Sequence, residues 1–192
     1  MSARKDGADI EFTIFDVETT GLDPQAGDRI CEIGALRIKD KKVISRFASL
    51  VNPQRSISPQ AFQVNKITAS MLEDAPLIDE VLPRFLEFIQ GSTLACYNAG
   101  FDLNFLKTEL SYISKKLPED IPVVDVLVMA RRLLPDLGAY PLINVASSLG
   151  LQDAQRHRAL SDVDLTLRVF LRLLGTLESK GINGFMQLIT LF

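Results

Sequence analysis

The segment from Phe12 to Leu22 constrains the fold of this chain more than any other stretch. It begins as a strand, because the apolar residues Phe12 and Ile14 alternate with polar ones, and successive side chains of a strand point to opposite faces. The same alternation places Asp16 and Glu18 on one face, with their Cα atoms roughly 6.6 Å apart. The chain must therefore fold so that one strand ends in two carboxylates facing the same way.

This acidic pair has two interpretations. Neighbouring carboxylates repel each other unless a cation lies between them, and carboxylate oxygens are the ligands that Mg²⁺ prefers. A solvent-facing acidic strand end explains the same residues, and for an isolated Asp-x-Glu it is the commoner case because short motifs match by chance. Asp16 and Glu18 therefore indicate a metal site only if further acidic residues join them.

The composition is that of an ordinary globular protein. The 192 residues are 47% hydrophobic and 23% charged, which suits one α/β domain with a full core. We expect a single domain over residues 1–192, with residues 1–9 as a flexible tail. The sequence has no apolar run as long as a membrane span and no apolar signal core at its start, so we expect a cytoplasmic protein without a membrane partner. Cys31 and Cys96 lie in apolar runs, which predicts buried, reduced thiols.

The charge distribution argues against a protein that coats nucleic acid. The net charge is −3, and the chain has no lysine or arginine block of the kind that binds along a duplex. An enzyme that holds only the end of a strand neutralises few phosphates. The composition is therefore evidence against an extended duplex-binding surface, and it leaves open an enzyme that holds only a strand end.

Strands open the chain, and helices dominate its later part. After the first strand, residues 29–38 and 43–51 are predicted as two more strands joined by a tight turn at 39–42, which favours an antiparallel start. Further strands are predicted at 92–97 and 122–124. A cap residue, Ser58, followed by a proline predicts the start of one helix, and a turn is predicted at 70–73. Further helices are predicted at 78–89, 102–117, 125–134, 142–149 and 160–181. The predicted class is α/β, a mixed sheet flanked by helices.

Two further aspartates follow strands and open helices. Asp102 closes the segment 98–102, just after the predicted strand at 92–97, and Asp125 follows the strand at 122–124. Aspartate is a favoured N-cap residue, and its charge suits the helix dipole. We expect Asp125 to be a cap, and a capping role explains Asp102 equally well when it is considered alone.

The only histidine of the chain, His157, lies on a polar loop five residues before Asp162. Asp162 falls in the first turn of the last predicted helix. A lone histidine on a surface loop usually has no special role. His157 and Asp162 indicate a functional site only together with the acidic segments that precede them in the chain.

Together, three segments resemble the exonuclease motifs of the DEDDh 3′→5′ exonucleases, the relatives of the proofreading epsilon subunit of bacterial DNA polymerase III. The match covers nearly the whole chain in order and spacing, and three motifs together are far more specific than one. The segments are Asp16-Val17-Glu18-Thr19-Thr20-Gly21-Leu22, Asn98-Ala99-Gly100-Phe101-Asp102 and His157-x-Ala159-x-x-Asp162.

The resemblance implies an RNase H-like fold, with a mixed five-stranded sheet that is antiparallel at its start and then parallel, and a two-metal mechanism. It implies that Asp16 bridges two divalent ions, Mg²⁺ or Mn²⁺. Glu18 and Asp162 would hold the ion that carries the attacking water, and Asp102 would support the second ion. His157 would be the general base, since a neutral imidazole can accept a proton near neutral pH. Four carboxylates in one cleft would repel one another strongly without such cations.

The resemblance also implies contacts with the nucleic acid. Thr19, Gly21 and Leu22 resemble the family's grip on the 3′ end, with Leu22 as a wedge between the last two bases. A turn glycine is the alternative for Gly21. Asn98 and Phe101 of the second motif would line the nucleotide pocket, although an aromatic residue at 101 suits the core equally well.

The chain departs from the family at three positions. Tyr97 stands where a histidine often precedes the second motif. In the helix after the third strand, epsilon-like relatives carry an acidic residue and a histidine that touch the terminal nucleotide, and Gln60 and Asn65 stand there in this chain. Both replacements keep hydrogen-bonding capacity but lose charge. They leave the hydrolytic residues intact and the fine specificity open.

The predicted function is removal of nucleotides from the single-stranded or frayed 3′ end of DNA, in proofreading or repair, alone or with a DNA polymerase subunit. An RNA-trimming exoribonuclease of the RNase T or oligoribonuclease kind would use the same chemistry on another substrate. A catalytically inactive scaffold that binds a polymerase is a third hypothesis. The complete catalytic set argues against that scaffold.

The C-terminal residues 187–192 partly resemble the short peptides by which bacterial proteins bind the sliding clamp. Thr190 stands where an apolar residue is often found. The end of an amphipathic helix explains the same residues. The sliding clamp is therefore a minor partner hypothesis beside the polymerase.

Overall fold

A mixed sheet organises the structure. The computed structural model describes residues 10–152, 157–182, 187, 190 and 191, so the predicted tail at 1–9 lies outside the described residues. The strands are β1 (Glu11–Thr19), β2 (Ile30–Lys39), β3 (Lys42–Leu50), β4 (Thr93–Cys96) and β5 (Val123–Asp125). Their order is β3-β2-β1-β4-β5, with antiparallel pairing from β3 to β1 and parallel pairing from β1 to β5. The predicted antiparallel start and parallel continuation are confirmed.

Helices cover both faces of this sheet. They are α1 (Pro59–Asn65), α2 (Ala69–Leu72), α3 (Ile78–Ile89), α4 (Ala99–Tyr112), α5 (Val126–Leu133), α6 (Leu142–Ser148) and α7 (Ala159–Ser179). Helices α3 and α4 pack on one face, and α5, α6 and α7 pack on the other. Within the described part of the chain, no helix has the length and apolar character needed to span a membrane.

The β2–β3 hairpin turns at Asp40 and Lys41, whose φ angles are 50° and 62°. Positive φ at both central residues is what the tight type I′ hairpin turn requires, and its twist matches that of antiparallel strands. The polar turn predicted at 39–42 is therefore confirmed. Most other predicted elements lie within two residues of the observed bounds, and Cys31 and Cys96 are buried and free as expected.

Helix α4 begins and ends earlier than predicted. The helix predicted at 102–117 is Ala99–Tyr112 in the structure. Asn98 precedes it with a φ of 69°, and Ser114 leaves it with a φ of 54°, which stops the helical backbone. Leu117 still packs in the core, but from the segment that follows the helix. The apolar spacing therefore continued past the point where the helix ended.

Strand β1 has apolar side chains on both faces, but one face carries carboxylates toward the C-terminal end of the strand. Ile14 packs with the α5–α7 side of the core, whereas Phe15 and Val17 pack with the α3–α4 side. Because side chains alternate along a strand, Asp16 and Glu18 continue the row of Ile14 toward the strand end. The acidic pair therefore lies on the face that α7 covers.

Helix α7 approaches β2 at Gly34 with almost no intervening space. A Cβ atom added to Gly34 would lie 2.5 Å from the backbone nitrogen of Leu160 and 2.6 Å from the carbonyl carbon of Ala159. Only glycine permits two backbones to approach this closely. Gly34 is also the residue of β2 that pairs with Asp16. The first turn of α7 is thereby placed beside the acidic end of β1.

Substituting Gly34 by alanine is expected to lower the free energy of unfolding by about 1–3 kcal/mol, because overpacking forces α7 away from β2. Gly175 provides the matched control within α7, since nothing lies within 4 Å of a Cβ added there. Gly175→Ala should be neutral or stabilising by up to about 1 kcal/mol. Urea unfolding measures both, and an unchanged midpoint for Gly34→Ala would contradict this account of the contact.

Candidate active site

The carboxyl end of β1 extends beyond its neighbour β4. β1 pairs with β2 along its length but with β4 only from Phe12 to Ile14. Asp162, in the first turn of α7, meets Asp16 and Glu18 there, and one carboxylate oxygen of each lies within 4.8 Å of the others. Asp162 is 4% exposed and Glu18 is 9% exposed. Two of the three sequence motifs thus meet in space.

Asp102 lies at the edge of β1 that β4 leaves open. It is buried in the first turn of α4, and its Oδ1 accepts a hydrogen bond from the backbone nitrogen of Val17 at 3.0 Å. The residue preceding α4 is Asn98, so Asp102 is not the N-cap that its sequence position also allowed. Asp102 lies outside the closest group of three carboxylates, but its negative charge raises the pKa of Asp16.

Burial and mutual repulsion make these carboxylates hard to ionise together. Burial is the main cause that holds the pKa of Asp16 well above its usual value, followed by the charges of Asp102, Glu18 and Asp162. Burial, with the charge of Asp162 next, raises the pKa of Glu18 to about 8. Burial also raises the pKa of Asp102, against the opposing effect of the hydrogen bond from Val17. Without a cation, the group therefore holds protons at neutral pH.

The residues of this site fit a hard divalent cation. The converging atoms are all carboxylate oxygens, the ligand class that Mg²⁺ and Mn²⁺ prefer. A cation would also relieve the repulsion that raises their pKa values. Asp16, Glu18 and Asp162 are the residues whose oxygens converge closely enough to share one ion. A bound ion would neutralise charge on a phosphate at this site.

Metal binding is expected to release protons and to strengthen with rising pH toward about 8, the pKa of Glu18. An unfolded chain would release these protons near pH 4. The metal-free fold therefore binds more protons than the unfolded chain between pH 4 and 8, and its free energy of unfolding falls across that range, by on the order of a few kcal/mol.

Thermal unfolding with and without Mn²⁺ measures this coupling. The stabilisation by Mn²⁺ should be larger at pH 8 than at pH 5.5, because at the lower pH protons already neutralise the carboxylates. Glu18→Gln removes one of the titrating groups and should flatten the pH dependence of the metal-free protein. A Mn²⁺ effect that is equal at both pH values would contradict the assignment.

His157 lies beside the acidic group. Its Nδ1 is 3.8 Å from Oδ2 of Asp162, and 43% of its side chain is exposed. Its φ is 47°, a backbone conformation that costs free energy in residues other than glycine. The preceding residues 153–156 lie outside the described part of the chain. The imidazole is therefore close to Asp162 and partly open to solvent.

The loop after β1 is organised around the carboxylate of Asp28. This group accepts hydrogen bonds from the hydroxyl of Thr20 and the backbone nitrogen of Asp23, each at 3.1 Å. The hydroxyl of Thr19 donates to the carbonyl of Gly21 at 2.5 Å. A Cβ atom on Gly21 would lie 2.2–2.5 Å from the Asp28 carboxylate. A side chain at position 21 would therefore displace the Asp28 carboxylate from the contacts that organise the loop.

Leu22 is the exposed part of this loop. It is 83% exposed, more than any other large apolar side chain among the described residues. A leucine this exposed contributes almost nothing to the stability of the free protein. It would bury apolar surface only against a bound partner, which is consistent with its predicted role as a wedge between bases.

Helix α1 supports the same loop. Asn65, which the resemblance placed against the substrate, is 2% exposed. Its Nδ2 donates to the carbonyl of Thr19 at 3.2 Å, and its Oδ1 accepts from the backbone nitrogen of Ile67 at 3.1 Å. Gln60 on the same helix is exposed. The structure thus gives Asn65 a positioning role toward the loop, whereas Gln60 is accessible to a ligand.

Asn98 and Phe101 lie in the turn from β4 into α4. Asn98 is exposed, and Phe101 is half-buried with its ring centroid 5.0 Å from that of Phe105 in the core. The carboxylate of Asp125 accepts hydrogen bonds from backbone nitrogens at the starts of both α4 and α5. The capping role predicted for Asp125 is confirmed, and it extends to the helix that carries Asp102.

Glu32 and Arg158 lie next to the site, although the motifs did not identify them. Nη2 of Arg158 is 2.8 Å from Oε1 of Glu32, and Glu32 pairs directly with Glu18 across the two strands. An acidic residue inside the apolar run 30–38 was the available signal, since a buried charge needs a partner. The position of that partner depends on the tertiary fold and is not visible in the sequence.

The predicted clamp-binding segment 187–192 lies largely outside the described residues. Gln187, Thr190 and Leu191 are described and helical, and the carbonyl of Leu191 accepts a hydrogen bond from Nη1 of Arg132 on α5. The clamp hypothesis is not tested by these contacts and stays a prediction.

Known proteins resemble the chain in both sequence and fold. A model of an exonuclease family, RNase T, matches residues 13–170. DNA polymerase III subunit epsilon of Treponema pallidum is 42% identical over 163 residues, which are 84% of this chain and 75% of the relative. The PolC-type DNA polymerase III of Caldanaerobacter subterraneus subsp. tengcongensis is 40% identical over 93% of this chain, but the chain spans only 12% of that relative.

A solved structure of Exonuclease X in complex with 5′ overhanging duplex DNA has the same fold, with a TM-score of 0.74 and 27% identity over 94% of this chain and 98% of the other. The mixed five-stranded sheet with helices on both faces is thus RNase H-like, as the resemblance implied. The matched region 13–170 contains all of the converging carboxylates and His157. On the family match, the relatives and the shared fold together, the chain belongs to the RNase T family of exonucleases.

Proposed function

We propose that this chain is a metal-dependent 3′→5′ exonuclease that shortens DNA from its 3′ end, as a proofreading domain does. The observation that carries the proposal is the group formed by Asp16, Glu18 and Asp162, whose oxygens lie within 4.8 Å of one another on an exonuclease fold. Carboxylates gathered this closely at a strand end destabilise the metal-free protein. Their use is to hold cations at the phosphate that is cut.

In this proposal Asp16, Glu18, Asp102 and Asp162 would hold the two Mg²⁺ or Mn²⁺ ions that the resemblance implies. Such a pair of ions, when bound, neutralises charge on the attacking and leaving oxygens. His157 accepts a proton from the water that attacks the last phosphodiester. The bond from phosphorus to the 3′ oxygen of the penultimate nucleotide breaks, and a nucleoside 5′-monophosphate leaves.

The loop after β1 is proposed to hold the terminal nucleotide. Leu22, being 83% exposed, supplies apolar surface that a base can cover. Thr19 and Gly21 set the shape of the loop, and Asn65 fixes it to α1. A grip confined to the end of the strand neutralises few phosphates, which agrees with a net charge of −3.

The choice of DNA, and of a polymerase as partner, rests on the relatives. Two of them are named as DNA polymerase III components. Because the chain spans 12% of the PolC-type relative, the polymerase partner and the proofreading pathway belong to the proposal. The same holds for the extent of the exonuclease domain over residues 1–192.

Matched oligonucleotides test the substrate and the direction of attack. Single-stranded DNA and RNA of one sequence, each labelled at the 5′ end, are incubated with the protein and Mg²⁺ or Mn²⁺. The proposal expects products of DNA that shorten one nucleotide at a time while keeping the label. Preferential shortening of RNA would indicate an exoribonuclease instead. Early release of the label as a mononucleotide would indicate attack from the 5′ end and contradict the proposed 3′→5′ direction.

Paired and mismatched duplex ends test the proofreading role. A mismatched 3′ terminus frays, so the single-stranded end is available without the cost of unpairing. The proposal expects faster removal of a mismatched than of a matched 3′ nucleotide. Equal removal rates for matched and mismatched 3′ nucleotides would contradict the proofreading role but not the exonuclease activity.

A further inference from the structure

Glu32 is a buried acidic residue beside the site that is not part of the closest carboxylate group. It lies on β2 directly opposite Glu18 on β1 and is 7% exposed. Like charges directly opposite each other destabilise a sheet, and a buried charge without a partner is costly. Alone, Glu32 would therefore add to the repulsion that already acts on Glu18.

Arg158 supplies the partner from the residue that precedes α7. Its Nη2 donates to Oε1 of Glu32 at 2.8 Å, and its Nε donates to Oε2 at 3.0 Å. This two-pronged geometry is the strongest that an arginine forms with a carboxylate. Arg158 therefore neutralises Glu32 and also lowers the pKa of Glu18 slightly against the larger causes that raise it.

Glu32 also caps α7. Its Oε2 accepts a hydrogen bond from the backbone nitrogen of Ala159 at 3.1 Å. The side chain of Arg158, which occupies the cap position, makes no capping hydrogen bond. The first backbone nitrogens of a helix lack partners within the helix, and a carboxylate there also suits the helix dipole. Glu32 on β2 thus acts as an N-terminal cap of α7, a role that a residue next to the helix in sequence usually has.

The fixed start of α7 carries two residues of the site. His157 immediately precedes Arg158, and Asp162 lies in the first turn of the helix. Gly34 allows that turn to contact β2 without an intervening side chain. The distance from α7 to the acidic end of β1 therefore depends on contacts of Glu32, Arg158 and Gly34.

We propose that Glu32 and Arg158 form a positioning pair, which sets where Asp162 and His157 lie relative to the acidic pair on β1. The inference rests on the proposed function, in which those residues hold metal and accept a proton. Each oxygen of Glu32 accepts two hydrogen bonds, Oε1 from Nη2 and Nε of Arg158 and Oε2 from Nε of Arg158 and the backbone nitrogen of Ala159. Its lone pairs are thus directed at α7 and not at the acidic group. The pair acts on the reaction through its neighbours on α7.

The test uses Glu32→Gln and Arg158→Lys in the full chain. Glutamine keeps the size of Glu32 but loses its charge and one acceptor, and lysine keeps the charge of Arg158 but cannot form the two-pronged contact. In both variants kcat on single-stranded DNA should fall by about tenfold to a hundredfold, with KM within about threefold of wild type. The Mn²⁺ concentration for half-maximal activity should rise in both.

Other roles predict different results. If Glu32 were itself a metal ligand, Arg158→Lys would keep its kcat and its Mn²⁺ dependence while Glu32→Gln lost both. If Arg158 bound a phosphate of the substrate, Arg158→Lys would keep kcat and at most raise KM, and Glu32→Gln would leave kcat at the wild-type value. Either result would overturn the positioning pair.

Glu11→Gln is the matched control. It removes a carboxylate that pairs with Arg37 at 2.6 Å near the opposite end of β1, where both side chains are 20–23% exposed. Its kcat should equal that of wild type. Melting temperatures of all variants separate positioning from loss of fold, and a drop in kcat that tracks only the unfolded fraction would overturn the proposal.

Calorimetric titration with Mn²⁺ alone separates this inference from the proposed function. If the wild-type protein binds Mn²⁺ but cuts neither DNA nor RNA, the proposed function fails. The positioning pair still predicts weaker Mn²⁺ binding in Glu32→Gln and Arg158→Lys than in Glu11→Gln. Equal Mn²⁺ binding in all variants would overturn it.

Discussion

Replacing Asp16 by asparagine is expected to reduce DNA hydrolysis by at least about a thousandfold. The variant loses a carboxylate that would hold the proposed ions, and the charge stabilisation that such ions supply is worth several kcal/mol. The metal-free variant should nevertheless be at least as stable as wild type. Burial and four neighbouring acidic groups hold the pKa of Asp16 high, so its neutral replacement removes repulsion without removing volume. Initial rates and melting temperatures, each with and without Mn²⁺, measure these two opposite effects.

Asp120→Asn makes the same chemical change at an exposed position just before β5 and is the matched control. It should leave both the rate and the stabilisation by Mn²⁺ unchanged. In Asp16→Asn, a rate within tenfold of wild type would refute the role of Asp16 in the reaction. Retention of the full Mn²⁺ stabilisation would refute its role as a ligand.

Replacing His157 by alanine is expected to reduce kcat by about 10²–10⁴-fold, the usual range for loss of a general base. Nδ1 of His157 lies 3.8 Å from Oδ2 of Asp162, and 43% of the side chain is exposed, so its removal should cost little stability. Metal binding depends on the carboxylates and should persist. The variant therefore predicts a large loss of rate beside an unchanged Mn²⁺ effect on melting temperature.

Added imidazole distinguishes proton transfer from a structural role. Free imidazole can enter the space left by the alanine and accept the proton, so it should restore part of the rate of His157→Ala. His157→Gln keeps a polar side chain of similar size, which blocks that space and accepts no proton, and should be neither active nor rescued. Near-full activity of either variant, or loss of the Mn²⁺ effect, would contradict the assignment.

The sheet and its acidic end could be predicted from the sequence because both depend on local rules. Alternation along β1 places Asp16 and Glu18 on one face, and a two-residue polar turn makes β2 and β3 a hairpin. The convergence of Asp162 with these residues does not depend on local rules. It required the resemblance of three motifs, and the structure then placed the carboxylate oxygens within 4.8 Å.

The start of α4 shows why a cap could not be located from residue type. Aspartate is a good N-cap, which favoured a helix beginning at Asp102. In the structure Asp125, from the end of β5, binds the backbone at the start of α4, and Asp102 instead binds the backbone of Val17. Tertiary packing decides which backbone nitrogen an aspartate contacts. Asp102 and Asp125 therefore looked equally suited to a capping role in the sequence.

Asn65 and Glu32 show the same limit at the site. The resemblance placed Asn65 against the nucleotide, but its amide is buried and bonded to the loop that carries Thr19. Glu32 appeared only as part of an apolar strand, since its partner Arg158 lies 126 residues later in the chain. Residues that act by holding others in place are defined by such long-range contacts, and motif spacing does not contain them.

Removal and return of metal tests whether the clustered carboxylates of this protein act by holding divalent ions. The protein is freed of metal with a chelator, dialysed, and mixed with 5′-labelled single-stranded DNA while Mg²⁺ or Mn²⁺ is titrated back. We expect no hydrolysis without metal and, as metal is added, a saturable return of products that shorten one nucleotide at a time from the 3′ end. Undiminished shortening by the metal-free protein would contradict the claim that its clustered carboxylates act by holding divalent ions.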